Sequence, residues 1–524
     1  MLITDNGGDT RPGGISPGMN IGRDAGSSGQ LTITGAGSTV TIASTSLAPP
    51  PNVADNFNPF MAVGRFAGAI GDLVVSNGGK LLMQGNAIST VADPRGTHLY
   101  IGGSSDTGAG GTGTALVTGP GSEIRLSGSD TFIAVGRGLG ANGLLTVSDH
   151  GLVSAIGMNV GRASGFGTLA VDGSTLNFSG QQTGSTQSGA FLSIGNRGGT
   201  GVATVTNGSQ INLSNLGTSG ASLNLGGTST NPLGNGTLTV SGASHINLTA
   251  APGLATFSVA RDGTALATFS EGSSIDVGDG STYIGRLAGS NGSLVLNSGA
   301  SLKAGYVGVG RTPDGDGGTG RLIVSNSTVT ANTIEIGTMG YLGGNNGTIN
   351  GNVILHGELS PGESPGRIII NGGLRTGSGH LVLDVASIGN GYNIDHLILT
   401  QGSSFSFTGL EVTFNFLGDV DPNAFAASGQ FSLDNFLQSL NSDGNTISGL
   451  SSQFTRGETW STVFASARFD AASTAYVITD LNFSSNGVVT LIATPAVPEP
   501  ATWALLFAGL AVVAEVARRR THRA

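Results

Sequence analysis

The sequence predicts an all-β protein whose main part is a right-handed parallel β-helix, and three observations support this fold class. Glycine contributes 91 of the 524 residues and only 10% of residues are charged, while aliphatic residues are plentiful. That composition is typical of a folded chain with many turns, because disordered chains combine high charge with low hydrophobicity. The other two observations are an internal repeat and a period-2 alternation of apolar residues within it, which predicts half-buried strands.

Each repeat reads apolar-x-Gly-Arg, a Gly/Ser-rich stretch, Gly-x-Leu-x-Val, a glycine turn and a second alternating strand. The copies begin at Asn20, Ala62, Tyr100, Ala134, Asn159, Ser193, Asn224, Ser258, Tyr283 and Gly308. Several copies are 25 residues apart, and insertions lengthen the other intervals. A unit this short cannot bury a face by itself, whereas stacked units can. A β-propeller is the main alternative, although its blades usually need about 40–50 residues and four strands.

The composition changes along the chain and predicts five segments. They are an irregular N-terminal segment (1–18), the glycine-rich β-helix repeats (19–340), terminal β-helix coils (341–402), a small β-rich capping module (403–494) and a tail with a hydrophobic helix (495–524). The terminal coils contain Leu-Ser-Pro-Gly-Glu-Ser-Pro-Gly at 359–366. Proline cannot donate to a strand ladder, so we expect a bend or cap there.

Composition also excludes several kinds of function. The chain has no cysteine, which rules out disulfides, thiolate metal sites and cysteine nucleophiles. Its net charge is −10 and its only lysines are Lys80 and Lys303, so we expect no nucleic-acid partner. No motif points to a cofactor.

Seven arginines share one repeat position and would form a ladder along one edge of the β-helix. They are Arg23, Arg65, Arg137, Arg162, Arg261, Arg286 and Arg311. One hypothesis is a strip that binds an anionic polysaccharide. The other, which we favour here, is that each guanidinium donates to carbonyls of a neighbouring glycine turn. A binding strip would usually add lysines and aromatic residues.

Two further sets of residues suggest chemistry. Asp314, Asp316 and Gly318 resemble a calcium-binding turn, but the turn occurs once, which favours a solvated acidic turn. Acidic residues near strand ends could form the carboxylate pair, about 5–9.5 Å apart, that glycoside cleavage needs. The candidates are Asp72, Asp149, Asp172, Glu271 and Asp276. None has a partner at a fixed offset, so an enzyme is the least favoured function.

The tail combines a short apolar run with charged flanks. The run from Trp503 to Ala514 is shorter than the roughly 20 residues that span a bilayer. Even so, an aromatic residue at one end and the basic cluster Arg518, Arg519 and Arg520 at the other match the polarity of membrane segments.

These features resemble two known groups of exported proteins. The repeats over 19–340, and the element at 359–366, resemble those of autotransporter passengers (type V secretion) and PEP-CTERM proteins. Pro498-Glu499-Pro500, the hydrophobic run and the final arginines resemble the PEP-CTERM sorting signal. The resemblance implies export, an inner-membrane anchor at 501–517, cleavage by an exosortase-type enzyme, and release to the surface or biofilm matrix of a Gram-negative bacterium.

We therefore expect an exported, non-enzymatic structural β-helix protein of the cell surface or extracellular matrix. The alternatives are an adhesin that binds exopolysaccharide through the arginine ladder and a polysaccharide-active β-helix enzyme. Members of the PEP-CTERM group carry an N-terminal secretion signal, and none is visible after Met1. We therefore expect a mis-assigned start or a truncated gene.

Overall fold

The computed structural model describes most of the chain up to residue 399 and parts of the remainder. The described ranges are 1–4, 17–44, 58–85, 96–128, 131–180, 189–227, 233–362, 365–376, 378–399, 405–406, 410–420, 464–471, 475–483 and 489–495. Every regular element in these ranges is a β-strand, which confirms the all-β prediction. The hydrophobic helix predicted in the tail lies outside the described residues.

Most strands belong to three stacks, which we call faces 1, 2 and 3, and the chain visits them in that order in every coil. Face 1 comprises Gly18–Ile21, Phe60–Val63, His98–Ile101, Phe132–Arg137, Gly157–Arg162, Ala190–Asn196, Ala221–Leu225, Ala255–Val259 and Ser281–Ile284. Face 2 comprises Ser28–Thr34, Ile70–Ser76, Thr112–Thr118, Asn142–Ser148, Phe166–Asp172, Thr200–Thr206, Asn235–Val240, Thr264–Phe269, Asn291–Asn297, Thr319–Ser325, Gly340–Gly344, Glu358–Pro361, His380–Ile388 and Leu410–Phe416. Face 3 comprises Leu2–Thr4, Thr39–Ala43, Lys80–Gln84, Glu123–Ser127, Leu152–Ala155, Thr175–Ser179, Gln210–Asn215, His245–Ala250 and Ser274–Asp276.

Faces 3 and 1 merge towards the end of the stack. Ser301–Val309, Thr328–Ile336 and Gly347–Leu355 each serve face 3 with their first residues and face 1 with their last. Later strands separate again, with Arg367–Asn371 and His396–Leu399 on face 3 and Leu374–Thr376 and Phe405–Ser406 on face 1. The other strands form antiparallel pairs: Arg311–Thr312 with Gly315–Asp316, Gly391–Ile394 with part of face 2, and Phe464–Ala471, Ala475–Phe483 and Val489–Pro495 in succession.

The strands of each face pair in parallel, and the pairing follows the sequence repeat. The ten residues that open the repeats are successive partners along face 1, from Asn20 opposite Ala62 to Tyr283 opposite Gly308. We number the coils 1 to 10 by these residues. A stack of coils that each add one parallel strand to three faces is a solenoid, as the repeat predicted.

The core is a column of apolar side chains between the three faces. Burial alternates along the strands of faces 2 and 3, whereas face 1 strands are buried along most of their length. In coil 2, Val63 on face 1, Leu73 on face 2 and Leu81 on face 3 are fully buried. Burial of one such side chain is worth about 1.5–3 kcal/mol. The column also contains larger side chains, such as the edge-to-face pair Phe257 and Phe269.

The corner between faces 1 and 2 leaves no room for side chains in most coils, and coil 8, with Ala260 and Ala265 there, is an exception. In coil 5, Gly161 of the Gly-Arg sequence has a φ of +70°, and a Cβ there would lie 1.9 Å from the carbonyl oxygen of Thr200 in the next coil. A Cβ on Gly167, which begins Gly-x-Leu-x-Val, would lie 2.2 Å from the Gly161 nitrogen. Glycine is needed at the first position for its backbone angle and at both for space.

The stack does not end at the Leu-Ser-Pro-Gly element, as the sequence had suggested. Glu358–Pro361 is a face 2 strand between Gly340–Gly344 and His380–Ile388, and parallel pairing continues through Leu410–Phe416 to Phe464–Ala471. Proline is tolerated because Pro361 is the last residue of its strand, where the missing N–H interrupts no ladder.

Part of the N-terminal segment, which was predicted to be irregular, forms a strand, while residues 5–16 lie outside the described residues. Leu2–Thr4 pairs in parallel with Thr41–Ala43 on face 3. Ile3 is half-buried against the core, so a strand of three residues is enough to extend face 3 by one coil.

We predict that Gly161→Ala lowers the free energy of unfolding by about 3 kcal/mol, because the new Cβ combines a disfavoured φ with overlap against the next coil. Urea unfolding followed by circular dichroism measures this change. Gly208→Ala is the matched control, since Gly208 has a φ of +72° but no atom within 4 Å of its Cβ position. That variant should lose only about 1 kcal/mol.

Coil 8 supplies the reverse test. Ala260 stands there in place of the Gly-Arg glycine and has a φ of +60°. Ala260→Gly should therefore raise the free energy of unfolding by about 1 kcal/mol. Equal effects of Gly161→Ala and Gly208→Ala would contradict a steric role for the corner.

Candidate functional site

The predicted arginine ladder follows the edge between faces 1 and 2, but it is broken into groups. Arg137 and Arg162 are direct partners in neighbouring strands, and Asn196 follows them in coil 6. Gly103 and Gly227 occupy the equivalent positions of coils 3 and 7. The arginines therefore fall into coils 1–2, 4–5 and 8–10, and a continuous basic strip does not form.

The middle group surrounds one carboxylate. Asp106, in the loop that follows the face 1 strand of coil 3, accepts a hydrogen bond from Arg137 Nε at 2.7 Å on Oδ1. Arg162 donates from Nε to Oδ1 at 2.8 Å and from Nη2 to Oδ2 at 2.7 Å. Arg197 Nη1 of coil 6 donates to Oδ2 at 2.9 Å. One aspartate thus connects coil 3 to the next three coils.

The environment of Asp106 stabilises its charge. Its side chain is 23% exposed, and those of Arg137 and Arg162 are 15% and 18% exposed. Burial alone would raise the pKa of the Asp106 carboxyl, but the hydrogen bonds and charges of Arg162 and Arg137 hold it well below its usual range. Asp106 is therefore ionised, and its charge compensates one of the three guanidinium charges around it.

Aromatic rings lie beneath several of the ladder arginines. The guanidinium carbon of Arg65 is 5.1 Å from the ring centre of Phe60, that of Arg137 is 5.4 Å from Tyr100, and that of Arg286 is 4.4 Å from Tyr283. Each such contact is worth about 0.5–1 kcal/mol at an exposed site. The partners of these ladder arginines are thus rings, carboxylates and, for Arg65, the side chains of Ser104 and Asn20, whereas the sequence had suggested backbone carbonyls and an absence of aromatics.

The last ladder residue, Arg311, pairs with an acidic residue of the turn that resembles a calcium-binding turn. Arg311 pairs with Glu335 through Nε and with Asp316 Oδ1 through Nη1 at 2.9 Å. Asp316 Oδ2 also accepts from the Thr338 hydroxyl at 2.9 Å. Asp314 is exposed beside it. The described residues contain no group of three or more His, Asp or Glu side chains that could hold a metal ion.

The structure does not bring the five candidate catalytic acids together. Asp72 and Asp172 lie on face 2 but three coils apart, and Asp276 lies on face 3. Asp149 and Glu271 occupy exposed turns. No two of them belong to one site.

A different pair of carboxyl groups does converge, near the end of the stack. Asp384 and Asp395 are 9% and 1% exposed, and a Cβ on Gly362 would lie 3.4 Å and 3.2 Å from their respective Oδ2 atoms. Asp395 accepts from the backbone N–H groups of Gly366 at 2.6 Å and Asp384 at 2.9 Å. Asn415 donates to Asp384 Oδ1 at 2.8 Å.

This pair perturbs the protonation of Asp395. Burial raises the pKa of the Asp395 carboxyl, the two backbone donors lower it, and the neighbouring Asp384 raises it, with a net value of about 7. Through its backbone bonds, Asp395 joins Gly366 to the strand His380–Ile388. The geometry of the pair is that of a buried structural contact.

The comparison with protein families identifies the tail. Residues 496–520 match the model of the PEP-CTERM protein-sorting motif. This chain carries a sorting motif. No curated protein matches the chain. The match confirms the PEP-CTERM part of the resemblance. The motif implies export, a membrane-anchored precursor and processing by an exosortase-type enzyme.

The matched residues include Pro498, Glu499, Pro500 and Arg518–Arg520, all of which lie outside the described residues. The described residues contain no helix that is long and apolar enough to cross a membrane. The membrane segment predicted at 501–517 also lies outside them, so its insertion stays a prediction.

Sequence reasoning missed both converging acid sites. Asp106 lies in an insertion of coil 3, and in the same coil Gly103 stands where other coils have the ladder arginine. This combination of an added acidic residue and a missing arginine was the only sequence signal for the site. Asp384 and Asp395 lie beyond the clear repeats, where the alternation alone could not indicate which residues meet.

We predict that Asp106→Asn lowers the free energy of unfolding by about 1–3 kcal/mol at neutral pH, because three guanidinium groups lose their shared counter-charge. Since the pKa of Asp106 is lowered on folding, its contribution is complete above the unfolded value of about 3.9 and is lost as pH falls below it. Urea midpoints from pH 3 to 7 should therefore fall less steeply on the acid side in the variant. Asp24→Asn, which affects an exposed pair with Arg23, is the control. Equal midpoints for the two variants would contradict a stabilising role for the contact between Asp106 and the three arginines.

The Asp384–Asp395 pair predicts the opposite pH dependence. Because the pKa of Asp395 rises from about 3.9 in the unfolded chain to about 7 in the folded one, stability should decrease as pH rises through this interval and level off above it. Asp384→Asn retains an acceptor for Asn415 but removes the neighbouring charge, so the loss of stability with rising pH should be smaller. Urea midpoints across this pH interval measure the loss. Asp149→Asn in an exposed turn is the control. A wild-type pH profile that Asp384→Asn leaves unaltered would contradict coupling between the two carboxyl groups.

Proposed function

We propose that this protein is an exported, non-enzymatic structural component of the cell surface or extracellular matrix. The observation that carries the proposal is the sorting motif at 496–520 on a chain whose described part is a stack of β coils. In this proposal the stack is a right-handed parallel β-helix, and the protein contributes an elongated body to the matrix.

The tail would deliver that body in two steps. The apolar run within 501–517 first holds the precursor in the inner membrane, with Arg518–Arg520 on the cytoplasmic side. An exosortase-type enzyme then recognises Pro498-Glu499-Pro500 and cleaves nearby. A run shorter than a usual span suits an anchor that is later removed.

The arrangement of the acids supports a non-enzymatic role. The five candidate acids lie on separate faces or coils, and a general acid or base must come within hydrogen-bond reach of its substrate. The pair that does converge, Asp384 and Asp395, is buried and bound to backbone N–H groups. Such a pair is suited to holding the last coils of the stack together.

An adhesin that binds an anionic exopolysaccharide through the arginine ladder is a second candidate. The rings beneath Arg65 and Arg286 favour it, since they place along the ladder the aromatic residues that a binding strip would be expected to contain. Arg137, Arg162 and Arg311 contribute less, because their guanidinium groups already donate hydrogen bonds to carboxylates of the chain.

We predict that changing Pro498, Glu499 and Pro500 together to alanine keeps the full-length chain in the inner-membrane fraction, because the processing enzyme loses its recognition sequence. The wild type, expressed from its own genomic locus, should appear at the surface or in the medium as a body that ends near residue 500. Cell fractionation with mass spectrometry of the released C-terminus measures both outcomes. Arg523→Ala, outside the matched residues, is the control and should behave as wild type. Release of the triple variant in the wild-type form would contradict the proposed sorting.

A further inference from the structure

Face 3 carries a row of outward-facing polar residues that neither the sorting motif nor the arginine ladder includes. The row occupies one register position in coils 3 to 9. Its members are Arg125, Ser154, Asn177, Asn212, Asn247, Asp276 and Lys303. They alternate with buried core residues such as Phe178 and Leu213, so the row lies on the outer surface of the sheet.

Side-chain amides connect the centre of the row. Asn212 Nδ2 donates to Asn177 Oδ1 at 3.0 Å, and Asn247 Nδ2 donates to Asn212 Oδ1 at 3.1 Å. An asparagine amide offers two N–H donors and an oxygen with two lone pairs. Each contact uses one donor and one lone pair, so Asn212 keeps a donor and a lone pair for a ligand.

A cleft of about 430 Å³ opens beside the first half of the row. Its polar lining includes Arg125, Ser127, Ser154, Asn177, Ser179 and Asn212. The cleft exists because the face 3 strand of coil 4 stops at Ala155, and only Ile156 separates it from the next face 1 strand. The strands on either side continue to Ser127 and Ser179, so the short coil leaves a notch.

A second cleft of about 360 Å³ lies beside the other half of the row. Asn247, Thr249, Asp276, Asp279 and Lys303 contribute its polar lining. The loop after the face 3 strand of coil 7 forms one wall, and the turn that follows Asp276 in coil 8 forms the other. Both volumes fall within the range of about 300–1,000 Å³ that is usual for small-molecule sites.

The two clefts belong to one surface, because the hydrogen bond between Asn247 and Asn212 joins their linings. From coil 3 to coil 9 the row advances by six inter-strand steps, or about 29 Å at about 4.8 Å per step. Its charges are compensated at both ends, by Glu123 at 3.5 Å from Arg125 and by Asp276 at 3.0 Å from Lys303. The surface is therefore long, polar and nearly neutral.

We propose that this row, with its two clefts, binds a neutral polysaccharide chain lying along the axis of the stack. Sugar hydroxyl groups donate and accept hydrogen bonds at once, as the amide and serine side chains of the row do. A polymer with repeated hydroxyl groups can contact successive coils, because every coil of the row adds a polar side chain at the same register position and coils 5 to 7 each add an asparagine. An anionic polymer would gain nothing from a row whose cations are already paired.

An extended peptide fits this surface less well. Peptides add to sheets through the free backbone groups of an edge strand, whereas the strands of coils 3 to 9 are bonded to neighbours on both sides. The row offers side chains only. This inference rests on the extracellular role proposed above, because that role would bring the protein into contact with polysaccharides. Binding can nevertheless be measured on the purified chain, whether or not the chain is exported.

Native affinity electrophoresis of the full chain in gels that contain dextran, galactomannan or mixed-linkage β-glucan tests the proposal. At least one of these neutral polymers should retard the wild type, equally at low and high salt, because uncharged ligands are not screened. Asn177→Ala with Asn212→Ala should weaken binding about tenfold, since two hydrogen-bonding amides are removed. Asn235→Ala with Asn291→Ala is the matched control, because these are two exposed asparagines on face 2, away from the row and its clefts.

A second variant separates binding from folding. Ser179→Ala with Ser214→Ala alters the rim of the first cleft without breaking the amide contacts, and it should also weaken binding. Circular dichroism and urea midpoints check that each variant folds. The proposal is overturned if no neutral polymer retards the wild type, or if both cleft variants bind as the control does. Retardation only by an anionic polymer such as alginate, and only at low salt, would overturn it in favour of the arginine ladder.

Discussion

The stack depends on a contact between two glycines at the corner where face 1 turns into face 2. A Cβ on the second glycine would lie 2.2–2.7 Å from the backbone nitrogen of the first in coils such as 1, 5 and 7. The backbones can approach this closely only without side chains. The corner therefore fixes where face 2 begins in each coil, and the position of every later side chain in the coil follows from it. Coil 8, with Ala260 and Ala265, retains the positive φ even though alanine disfavours it, because its neighbours on both sides impose the same path.

Once the corner is fixed, equivalent residues of successive coils lie in rows, and the rows decide what each face can do. The inward rows are apolar and form the core. The outward rows differ from face to face: arginines at the edge of face 1, amides and hydroxyls on face 3. Insertions at the corners then shape the surface between the rows. The first cleft on face 3 exists because coil 4 is short and its neighbours are longer.

The sequence predicted those features that depend on local pattern. Period-2 alternation and the Gly-Arg repeat were enough to predict the strands and their order, because each coil repeats the same local sequence pattern. The sorting motif was equally visible, since its three parts are adjacent. Asp106 was not predictable, because its partners lie 31, 56 and 91 residues away and meet it only through an inserted loop. The amide row had a signal that went unread: Leu-Asn-Phe-Ser, Ile-Asn-Leu-Ser and Ile-Asn-Leu-Thr recur at 35-residue intervals from 176, 211 and 246. The convergence of Asp384 and Asp395 depends on a hairpin in a region without clear repeats.

The aspartate bound by three arginines changes how the stack comes apart. In a solenoid each coil normally contacts only its neighbours, so the chain can open at any junction and unravel one coil at a time. Asp106 connects coil 3 directly to coils 4, 5 and 6. Opening any junction among these four coils separates the carboxylate from at least one guanidinium. This part of the protein should consequently resist pulling and proteases as a single cooperative block, with the first breaks occurring on either side of it.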